Sequence, residues 1–259
     1  MLQGKSIVVT GVSSGIGAAT ARELMQNRAI VHGVDRVRPV DHELTGFHLA
    51  DLSDPASIDE LVAALPDGLA GLCNVAGLPP TAPPELVLKV NVLGLKRLTL
   101  GLVPKLADGA SIVNVASLAG FDWADSIPEI RAFHDVDFET VASFCRQYGI
   151  EGARSYFFSK QYMIAWTFLQ RWTWRSRGIR MNCVSPGPVE TPILKDFVAT
   201  LGARVEEDMR VMDRSARPED IAPVIAFLQT DGSRWLRGAN LTADGGMSSH
   251  IALAKSGLA

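Results

Sequence analysis

The sequence predicts an α/β fold: a single doubly wound, mostly parallel sheet with helices on both faces. Short runs rich in Val and Ile alternate along the whole chain with longer segments of helical apolar spacing. A glycine-rich turn follows the first apolar run at once and leads into the first helical segment. Because α/β folds often reach a length of 259 residues as one unit, we expect residues 1–259 to form a single domain.

The composition argues against several classes of protein. A net charge of −3 without any basic run disfavours nucleic acid or an anionic membrane as a partner. No apolar stretch approaches the ~18 residues that span a bilayer and no signal peptide is evident, so we expect a cytoplasmic protein. Cys73, Cys145 and Cys183 are widely spaced and lack a Cys-x-x-Cys pairing, which indicates neither disulfides nor a metal site. The expected partner is a small molecule.

The first predicted strand, Ser6–Thr10, runs directly into a glycine-rich turn and then a helix. Such a turn lets backbone N–H groups close on a pyrophosphate at the positive end of the helix dipole. It is one residue longer than the common dinucleotide fingerprint, and an ordinary strand-to-helix turn is the alternative. The context favours a Rossmann-type nucleotide site. Its predicted cofactor contacts are Gly11, Ser13, Ser14, Gly15, Ile16 and Gly17.

The second predicted strand, residues 30–34, leads to Asp35. A carboxylate about 20 residues past the glycines can accept hydrogen bonds from the adenosine ribose. It would repel a 2′-phosphate by roughly 4 kcal/mol at a separation of about 4 Å and an effective dielectric constant of about 20. We therefore expect NAD rather than NADP, although Arg36 and Arg38 are near enough in sequence to reach a phosphate.

Two further turns at strand ends are candidate cofactor contacts. Asp51 and Leu52 follow the third strand and could face the adenine, although a loop aspartate that caps the next helix is equally ordinary. Ala76 and Gly77 follow the fourth strand, where small residues would allow close packing against a cofactor. A plain tight turn explains them as well.

Two segments place polar residues at unusual positions. Leu86–Leu106 has helical apolar spacing but contains Asn91 and Gly94, which both lower helix stability. Such a local violation marks either a functional site or a tolerated kink. Ser117 directly follows the fifth predicted strand, Ser111–Ala116, at the sheet edge where α/β folds bind ligands.

Tyr156 and Lys160 are four positions apart on a helix predicted over Ser155–Arg177, so their side chains can share one face. A cation about 4 Å from a phenolate would lower the pKa of the phenol by as much as about three units, toward the range that acid–base catalysis requires. An exposed pair is the ordinary interpretation of this spacing. Of the three tyrosines, however, only Tyr156 has a lysine four places on. We take the pair as a candidate acid–base group.

The rest of the chain continues the alternation of strands and helices. Gly178–Val184 is predicted as the sixth strand, and the rigid turn Pro186–Pro192 follows it. Residues from about 190 to 216 are mixed in composition and are expected to form a mobile lid over the substrate. A helix is predicted over Arg217–Leu228 and a last strand over Asn240–Thr242.

Taken together, these residues resemble the short-chain dehydrogenase/reductase family over nearly the whole chain. One small departure is Val75, where the family usually has a second Asn. The resemblance implies a Rossmann fold and a nicotinamide cofactor, and it adds Asn74 to the candidate cofactor contacts. The matching motifs, in family order, are Thr10-Gly11-x-x-x-Gly15-x-Gly17, Asp35, Asn74-x-Ala76-Gly77, Asn91, Ser117, Tyr156-x-x-x-Lys160, Pro186-Gly187 and Asp244-Gly245-Gly246.

The resemblance also implies a role for each matched residue. Tyr156 would be the acid–base on the substrate oxygen, and Ser117 would hydrogen-bond the same oxygen. Lys160 would acidify Tyr156 and hold the nicotinamide ribose, while Asn91 would fix a water in a proton relay behind it. The residues implied to contact the nicotinamide end are Pro186, Gly187, Val189 and Thr191, together with Tyr156 and Lys160.

The spacing from Ser117 to Tyr156 is far longer than in most family members, which implies an acidic insertion over about 121–154. It resembles the branch that contains 3α-hydroxysteroid dehydrogenase/carbonyl reductase and coniferyl alcohol dehydrogenase. Family members commonly dimerise through the helices that carry Asn91 and Tyr156. An insertion entering one of them favours a homodimer, with a homotetramer as the alternative.

The resemblance predicts an NAD-dependent dehydrogenase that moves a hydride between nicotinamide and the carbinol carbon of a ring-bearing alcohol. That alcohol would be of the coniferyl or cinnamyl type, or a hydroxysteroid. A broad carbonyl reductase that works toward the alcohol is one alternative. A catalytically silent NAD-binding regulator is another, against which the intact set of Asn91, Ser117, Tyr156 and Lys160 argues.

Overall fold

The computed structural model describes residues 1–40, 44–202 and 211–258, and it confirms the predicted fold class. Within these residues the strands are β1 (Ser6–Thr10), β2 (Ile30–Asp35), β3 (Gly46–Leu49), β4 (Leu69–Asn74), β5 (Leu106–Val115), β6 (Arg180–Pro186) and β7 (Asn240–Ala243). They form one parallel sheet of seven strands in the order β3-β2-β1-β4-β5-β6-β7. The order reverses between β1 and β4, where the carboxyl ends of the strands open a crevice for ligands.

Helices cover both faces of the sheet. They are α1 (Gly15–Gln26), α2 (Pro55–Ala64), α3 (Pro84–Leu88), α4 (Leu95–Leu102), α5 (Ile127–Ala132), α6 (Val141–Tyr148), α7 (Ala153–Leu169), α8 (Pro192–Leu201), α9 (Pro218–Leu228) and α10 (Met247–Ser256). One apolar core lies between the sheet and α2, α4 and α7, and a second lies between the sheet, α1 and α9. Close packing on both faces holds the strand ends in place.

The segment predicted as one helix over Leu86–Leu106 is divided. α3 is followed by a turn of π-helix at Lys89–Gly94, then by α4, and Leu106 already belongs to β5. A Cβ on Gly94 would collide with the carbonyl oxygen of Leu52, so glycine permits this segment to approach the loop after β3. The predicted irregularity is real, but its form is a π turn.

The helix predicted over Ser155–Arg177 is shorter than expected. α7 ends at Leu169, and two 3-10 turns replace its last part. Residues 172–176 are aromatic, β-branched or polar and lie mostly at the surface, so packing does not compensate for their low helix propensity. The next strand starts at Arg180, after Gly178 closes the turn with a left-handed φ of 68°.

The insertion at about 121–154 is folded and contains α5 and α6. Phe133, which follows α5, is fully buried. Its ring centroid lies 4.9 Å from those of Phe144 and Tyr162 and 5.5 Å from that of Phe158, each in an edge-on arrangement. The insertion therefore covers one face of α7 with aromatic side chains of the same chain.

The C-terminal third of the chain shows both agreement and difference. The expected helix after Arg217 and the expected last strand are present as α9 and β7. The first part of the predicted lid forms α8, whereas residues 203–210 lie outside the described residues. α10 has no counterpart among the predicted elements. In the part of the chain that the structure describes, no helix is long and apolar enough to cross a bilayer.

Candidate active site

A cleft runs along the carboxyl edge of the sheet, from the crevice between β1 and β4 toward α7. Its larger part has a volume of about 380 Å³ and lies among the glycine turn and the loops after β2, β3 and β4. Its inner part is a cavity of about 180 Å³ among the loops after β5 and β6, α7 and α8. Ile16, Gly77 and Thr191 line both parts, so the two form one continuous site.

Most of the predicted site residues line this cleft. Asn74 and Asn91 do not line either part. Those in the larger part are Gly11, Ser13, Ser14, Gly15, Ile16, Gly17, Asp35, Asp51, Leu52, Ala76 and Gly77. Those in the inner cavity are Ser117, Tyr156, Lys160, Pro186, Gly187, Val189 and Thr191. Residues far apart in sequence thus converge at one edge of the sheet.

The glycine turn forms a cradle that side chains would fill. A Cβ on Gly17 would collide with the Gly11 carbonyl, and a Cβ on Gly15 would lie 2.9 Å from Cγ2 of Thr191. The Ser14 side chain makes no capping bond to α1, and the first turn of that helix carries no acidic residue. The first N–H groups of α1 therefore remain available for an anion at the positive end of the helix dipole. These residues fit the pyrophosphate of a dinucleotide.

Thr10 joins the glycine turn to the loop after β4, a role that was not predicted from the sequence. Its hydroxyl accepts hydrogen bonds from the N–H groups of Val75 at 2.9 Å and Ala76 at 3.0 Å. A Cβ on Gly11 would come within 3.0 Å of the Ala76 backbone. The two loops that flank the crevice are thus held together. The available signal in the sequence was a hydroxyl side chain at the end of an apolar run, directly before Gly11. The structure shows that this threonine is fully buried.

Asp35 lies at the carboxyl end of β2 with both carboxylate oxygens engaged. Oδ2 accepts hydrogen bonds from the Ser13 N–H at 3.0 Å and the Ser13 hydroxyl at 2.7 Å, and Oδ1 accepts one from the Val37 N–H at 3.2 Å. A carboxylate offers about four acceptor positions. Asp35 can therefore be fixed by these donors and still accept a hydroxyl from a ligand in the cleft.

The two arginines near Asp35 differ in their surroundings. The Arg38 guanidinium lies over the ring of Phe47, 4.7 Å from its centroid. Arg36 lines the cleft. Burial alone would raise the pKa of Asp51, but hydrogen bonds from Ser53 and the charge of Arg36 outweigh it and hold that pKa below its usual value. The arginine in the cleft thus has a carboxylate as its electrostatic partner.

Ser117 and Tyr156 bring two hydroxyl groups to the inner cavity. Ser117 follows β5, and its Oγ accepts a hydrogen bond from the Ala119 N–H at 3.1 Å. Burial raises the pKa of Tyr156 to about 12, while a hydrogen bond with the Ser117 side chain opposes that rise. Both side chains line the same cavity and interact with each other, so both hydroxyls can serve one alcohol or carbonyl oxygen.

In this arrangement burial raises the pKa of Tyr156, whereas the spacing of Tyr156 and Lys160 alone predicts a lowered one. The Nζ of Lys160 lies 5.3 Å from the centroid of the Tyr156 ring and donates a hydrogen bond to the Val115 carbonyl at 2.9 Å. Burial raises the pKa of Tyr156 and lowers the pKa of Lys160 to about 8. Desolvation disfavours the charged form of each group and is the largest cause of both shifts. Both side chains nevertheless reach the cavity from one face of α7, as the spacing predicts.

Asn91 lies behind the cavity in the π turn and is fully buried. Its Oδ1 accepts a hydrogen bond from the Leu78 N–H at 2.7 Å, and its Nδ2 donates to the Leu78 carbonyl at 3.1 Å and to Oγ of Ser159 at 3.2 Å. Single π turns inside helices are frequent at functional sites. Here the turn fastens the loop after β4, which lines the cleft, to the helix that carries Lys160. A water relay at Asn91 stays a prediction.

Asn74 is fully buried at the end of β4 and faces the interior. Its amide donates hydrogen bonds to Oγ1 of Thr99 and Oδ1 of Asn114, each at 2.9 Å. The Asn114 amide continues the network to Oγ1 of Thr167 at 2.9 Å. The structure therefore places the Asn74 side chain in a framework that joins β4, β5, α4 and α7 beneath the cleft, instead of on its wall.

Several residues of the site were not predicted individually. Leu118, Phe157 and Phe197 line the inner cavity. Asp196 lines the larger part of the cleft, and its Oδ1 accepts a hydrogen bond from the Thr81 hydroxyl at 2.9 Å. For α8 the available signal was the apolar spacing at positions 193, 194 and 197, which places these side chains on one face of a helix.

The fold and the site define the class of this protein as an α/β oxidoreductase built around a dinucleotide cleft. Residues 5–128 match the family model described as short chain dehydrogenase. Residues 138–248 match a second family model, described as enoyl-(acyl carrier protein) reductase. The chain belongs to the short-chain dehydrogenase/reductase family, as its motifs predicted, and it is an oxidoreductase that acts on alcohols.

Relatives match over almost the whole chain. A coniferyl-alcohol dehydrogenase of Pseudomonas sp. (strain HR199 / DSM 7063) is 43% identical over 96% of this chain and 98% of its own length. A 3-alpha-hydroxysteroid dehydrogenase/carbonyl reductase of Comamonas testosteroni is 30% identical over 93% of this chain and 95% of its own length. The matches to both relatives therefore extend over nearly the whole chain.

Solved structures show the same fold. The 3-alpha-hydroxysteroid dehydrogenase from Pseudomonas sp. B-0831, complexed with NADH, is 31% identical with a TM-score of 0.81 and covers 95% of this chain and 98% of its own. A short-chain dehydrogenase from Burkholderia cenocepacia J2315 in complex with NADP is 25% identical with a TM-score of 0.73, over 95% and 98% of the two chains. The family binds a nicotinamide cofactor, and both forms occur among these neighbours.

Proposed function

We propose that this protein is an NAD-dependent dehydrogenase that oxidises a ring-bearing alcohol, of the coniferyl or cinnamyl type or a hydroxysteroid. The observation that carries the proposal is the meeting of Ser117, Tyr156 and Lys160 in a largely apolar cavity that continues into the nucleotide cleft. The names of the two Pseudomonas relatives, a coniferyl-alcohol dehydrogenase and a 3-alpha-hydroxysteroid dehydrogenase, support the two substrate types.

The larger cleft would hold the dinucleotide. The glycine turn and the N-terminus of α1 would bind its pyrophosphate, and Asp35 would accept a hydrogen bond from the adenosine ribose. Residues after β6 would hold the nicotinamide end, with Pro186 and Gly187 against the ring and Val189 and Thr191 at the carboxamide. The oxidised nicotinamide would supply a hydride acceptor and a positive charge.

The residues of the inner cavity would manage the proton. The Ser117 and Tyr156 hydroxyls hold the alcohol oxygen, and the ionised Tyr156 oxygen takes its proton as the hydride leaves the carbinol carbon. Because burial raises the pKa of Tyr156 to about 12, that ionisation needs positive charge nearby, which Lys160 contributes when protonated. A water held near Asn91 would carry the proton onward behind Lys160.

A carbonyl reductase that works toward the alcohol is the second candidate. The same hydroxyl groups serve the reverse reaction, with Tyr156 donating its proton to the carbonyl oxygen. The name of the Comamonas relative includes carbonyl reductase, which supports this second function. Cofactor preference distinguishes the dehydrogenase from the carbonyl reductase, because the oxidised state of cellular NAD pools favours alcohol oxidation.

The proposal is tested by following NADH formation with coniferyl alcohol, cinnamyl alcohol and a 3α-hydroxysteroid. Wild-type protein is expected to oxidise at least one of them, faster with NAD than with NADP. Tyr156→Phe should abolish turnover, because the ring remains while the proton acceptor is lost, and it should still bind NADH. Tyr148→Phe is the matched control, since Tyr148 stacks on Phe144 in the insertion and should be dispensable for turnover.

Two outcomes would contradict the proposal in different ways. Undiminished NADH formation by Tyr156→Phe would show that another group accepts the proton. Tight NADH binding by wild-type protein, without turnover of any of these alcohols or of the matching carbonyl compounds, would favour the silent NAD-binding regulator.

A further inference from the structure

The walls of the inner cavity are mostly apolar. Leu118, Ala119, Phe157, Val189, Leu194 and Phe197 line it. Among the described residues that line it, Lys160 alone has a charged side chain. Its Nζ donates a hydrogen bond to the Val115 carbonyl. A charged or strongly hydrated substituent would lose water there without gaining a partner. The cavity therefore suits a neutral apolar group next to the reacting alcohol.

Phe197 contributes an aromatic ring directly against the phenol of Tyr156. The two ring centroids are 4.7 Å apart and the planes meet at 83°, so the rings pack edge to face. Phe197 is only partly buried, and it lines the cavity in which the alcohol would react. Part of its ring is thus open to a bound substrate.

A second contact fixes the helix that carries this ring. Asp196, the residue before Phe197, accepts a hydrogen bond from the Thr81 hydroxyl at 2.9 Å. Thr81 belongs to the loop after β4, on the other side of the cleft from the loop after β6. α8 is therefore tied across the cleft through Asp196 and packed on Tyr156 through Phe197. This pair of contacts gives the Phe197 ring a defined position.

Resting on the proposed function, we propose that Phe197 determines specificity by selecting an alcohol that carries a flat aromatic ring over one that carries saturated rings. Two aromatic rings attract each other through their quadrupoles in addition to the area that they bury, and a saturated ring of equal size lacks this contribution. The ring of a cinnamyl-type alcohol would pack against Phe197 while its hydroxyl meets Ser117 and Tyr156.

The experiment compares cinnamyl alcohol with its cyclohexyl analogue, which has the same reacting carbon and a saturated ring. Phe197→Leu keeps an apolar side chain but removes the ring face. It should lower the kcat/KM preference for cinnamyl alcohol about two- to tenfold, chiefly through KM. Phe197→Met also lacks a ring and is the second variant, with the same expected loss. Phe227→Leu is the matched control, since Phe227 is an exposed phenylalanine on α9.

The outcomes separate this inference from the function on which it rests. An unchanged preference in the folded Phe197→Leu or Phe197→Met variant, with wild-type protein active on both alcohols, would overturn the role of Phe197 alone. A wild-type preference for the cyclohexyl analogue or for a hydroxysteroid would overturn it as well. Wild-type protein that bound NADH but oxidised none of these alcohols would instead overturn the proposed function.

Discussion

Ser13 and Asp35 act as a pair, because the carboxylate is held by the N–H and the hydroxyl of one serine. A 2′-phosphate at this end of the cleft would meet a fixed negative charge. The repulsion of roughly 4 kcal/mol expected at about 4 Å is an upper bound, since solvent screens this partly exposed position. Asp35→Asn keeps an acceptor but removes the charge, so the kcat/KM ratio of NAD over NADP should fall about tenfold. Steady-state kinetics with both cofactors measures it.

Ser13→Ala provides the control for this prediction. It removes one of the donors to Asp35 and keeps the charge, so the ratio should change less than in Asp35→Asn. An unchanged ratio in Asp35→Asn would show that Arg36, the arginine that lines the cleft, governs cofactor choice. Arg36→Ala would then be the variant that alters it.

Lys160 gives the folded protein a specific pH dependence of stability. Burial lowers its pKa to about 8 in the folded state, against about 10.4 in an unfolded chain. Between these values the unfolded chain binds the proton more tightly, so the contribution of Lys160 to the free energy of unfolding is lowest below pH ~8 and rises toward pH ~10.4. Relative to Lys160→Met, wild-type stability should increase by up to about 2 kcal/mol between pH ~8 and pH ~10.

Urea unfolding of the cofactor-free protein at several pH values measures this difference. Tyr156 acts in another range, because its pKa is raised to about 12 in the folded state and its contribution is lost only as the pH rises above ~10. Parallel stability curves for wild-type protein and Lys160→Met would show that Lys160 is not desolvated.

The sequence sufficed to identify Tyr156 and Lys160 but not their electrostatics. Helical spacing determines which side chains share a face, and that prediction agrees with the structure. Burial depends on what packs over that face, including Phe197 from a helix some forty positions later. Local spacing contains no information on such contacts, so it could not predict that burial raises the pKa of Tyr156. The acid–base role of the pair stays a prediction.

The π turn at Lys89–Gly94 shows the same limit at the level of elements. Asn91 and Gly94 marked the place, but the form of the turn depends on bonds to Leu78, thirteen positions earlier. Asn91→Ala would leave the partly buried N–H and carbonyl of Leu78 without these bonds. We expect a loss of about 1–3 kcal/mol in the free energy of unfolding, with lower kcat/KM because a wall of the cleft is released.

Urea unfolding and steady-state kinetics on the same preparations test the Asn91→Ala prediction. Ser159→Ala is the control, because it removes one partner of Asn91 and leaves both bonds to Leu78 in place. Ser159→Ala should lower the free energy of unfolding and kcat/KM less than Asn91→Ala does. Equal losses of stability and activity in Asn91→Ala and Ser159→Ala would show that the two hydrogen bonds to Leu78 do not cause the effect.

The insertion is the element that the sequence predicted least well. Its helices have only six and eight residues, too short for periodicity to define them. They are held by aromatic contacts to α7 that no local pattern reveals. Phe133 is fully buried among three aromatic rings, so Phe133→Ala should lower the free energy of unfolding by about 3–5 kcal/mol.

Denaturant unfolding measures the effect of Phe133→Ala, with Phe227→Ala as the control. Phe227 is 45% exposed on α9, and its removal should leave stability nearly unchanged. A small effect of Phe133→Ala would indicate that the insertion does not pack on α7 in solution. The inference that aromatic side chains of the insertion cover this face of α7 would then be wrong.

At the level of the whole molecule, the fold class was predictable because many weak signals agree along the chain. Each strand is short and each boundary is uncertain by a few residues, yet alternation of strands and helices permits few architectures. The glycine turn after β1 and Ser117 after β5 then fix which edge of the sheet carries the site. Assembly is a property that this pattern does not determine, and it depends on the surface.

We expect a homodimer rather than a homotetramer. The face of α7 that carries Phe158 and Tyr162 is covered by Phe133 and Phe144 of the same chain, so it is closed to a partner subunit. A tetramer needs a second, different interface in addition to the first. Trp235 is the most exposed tryptophan among the described residues, at 91%. We therefore test this tryptophan as part of the dimer interface.

We therefore expect light scattering to give the mass of a dimer, and Trp235→Glu to shift it toward a monomer, because a charge would be buried in the interface. Trp172→Glu is the matched control: Trp172 is 58% exposed after α7, and its replacement should leave the dimer intact. The residues of the cleft and the inner cavity come from one chain, so the monomeric variant should retain turnover. A tetramer mass, or a dimer unaffected by Trp235→Glu, would show that the subunits associate through another surface.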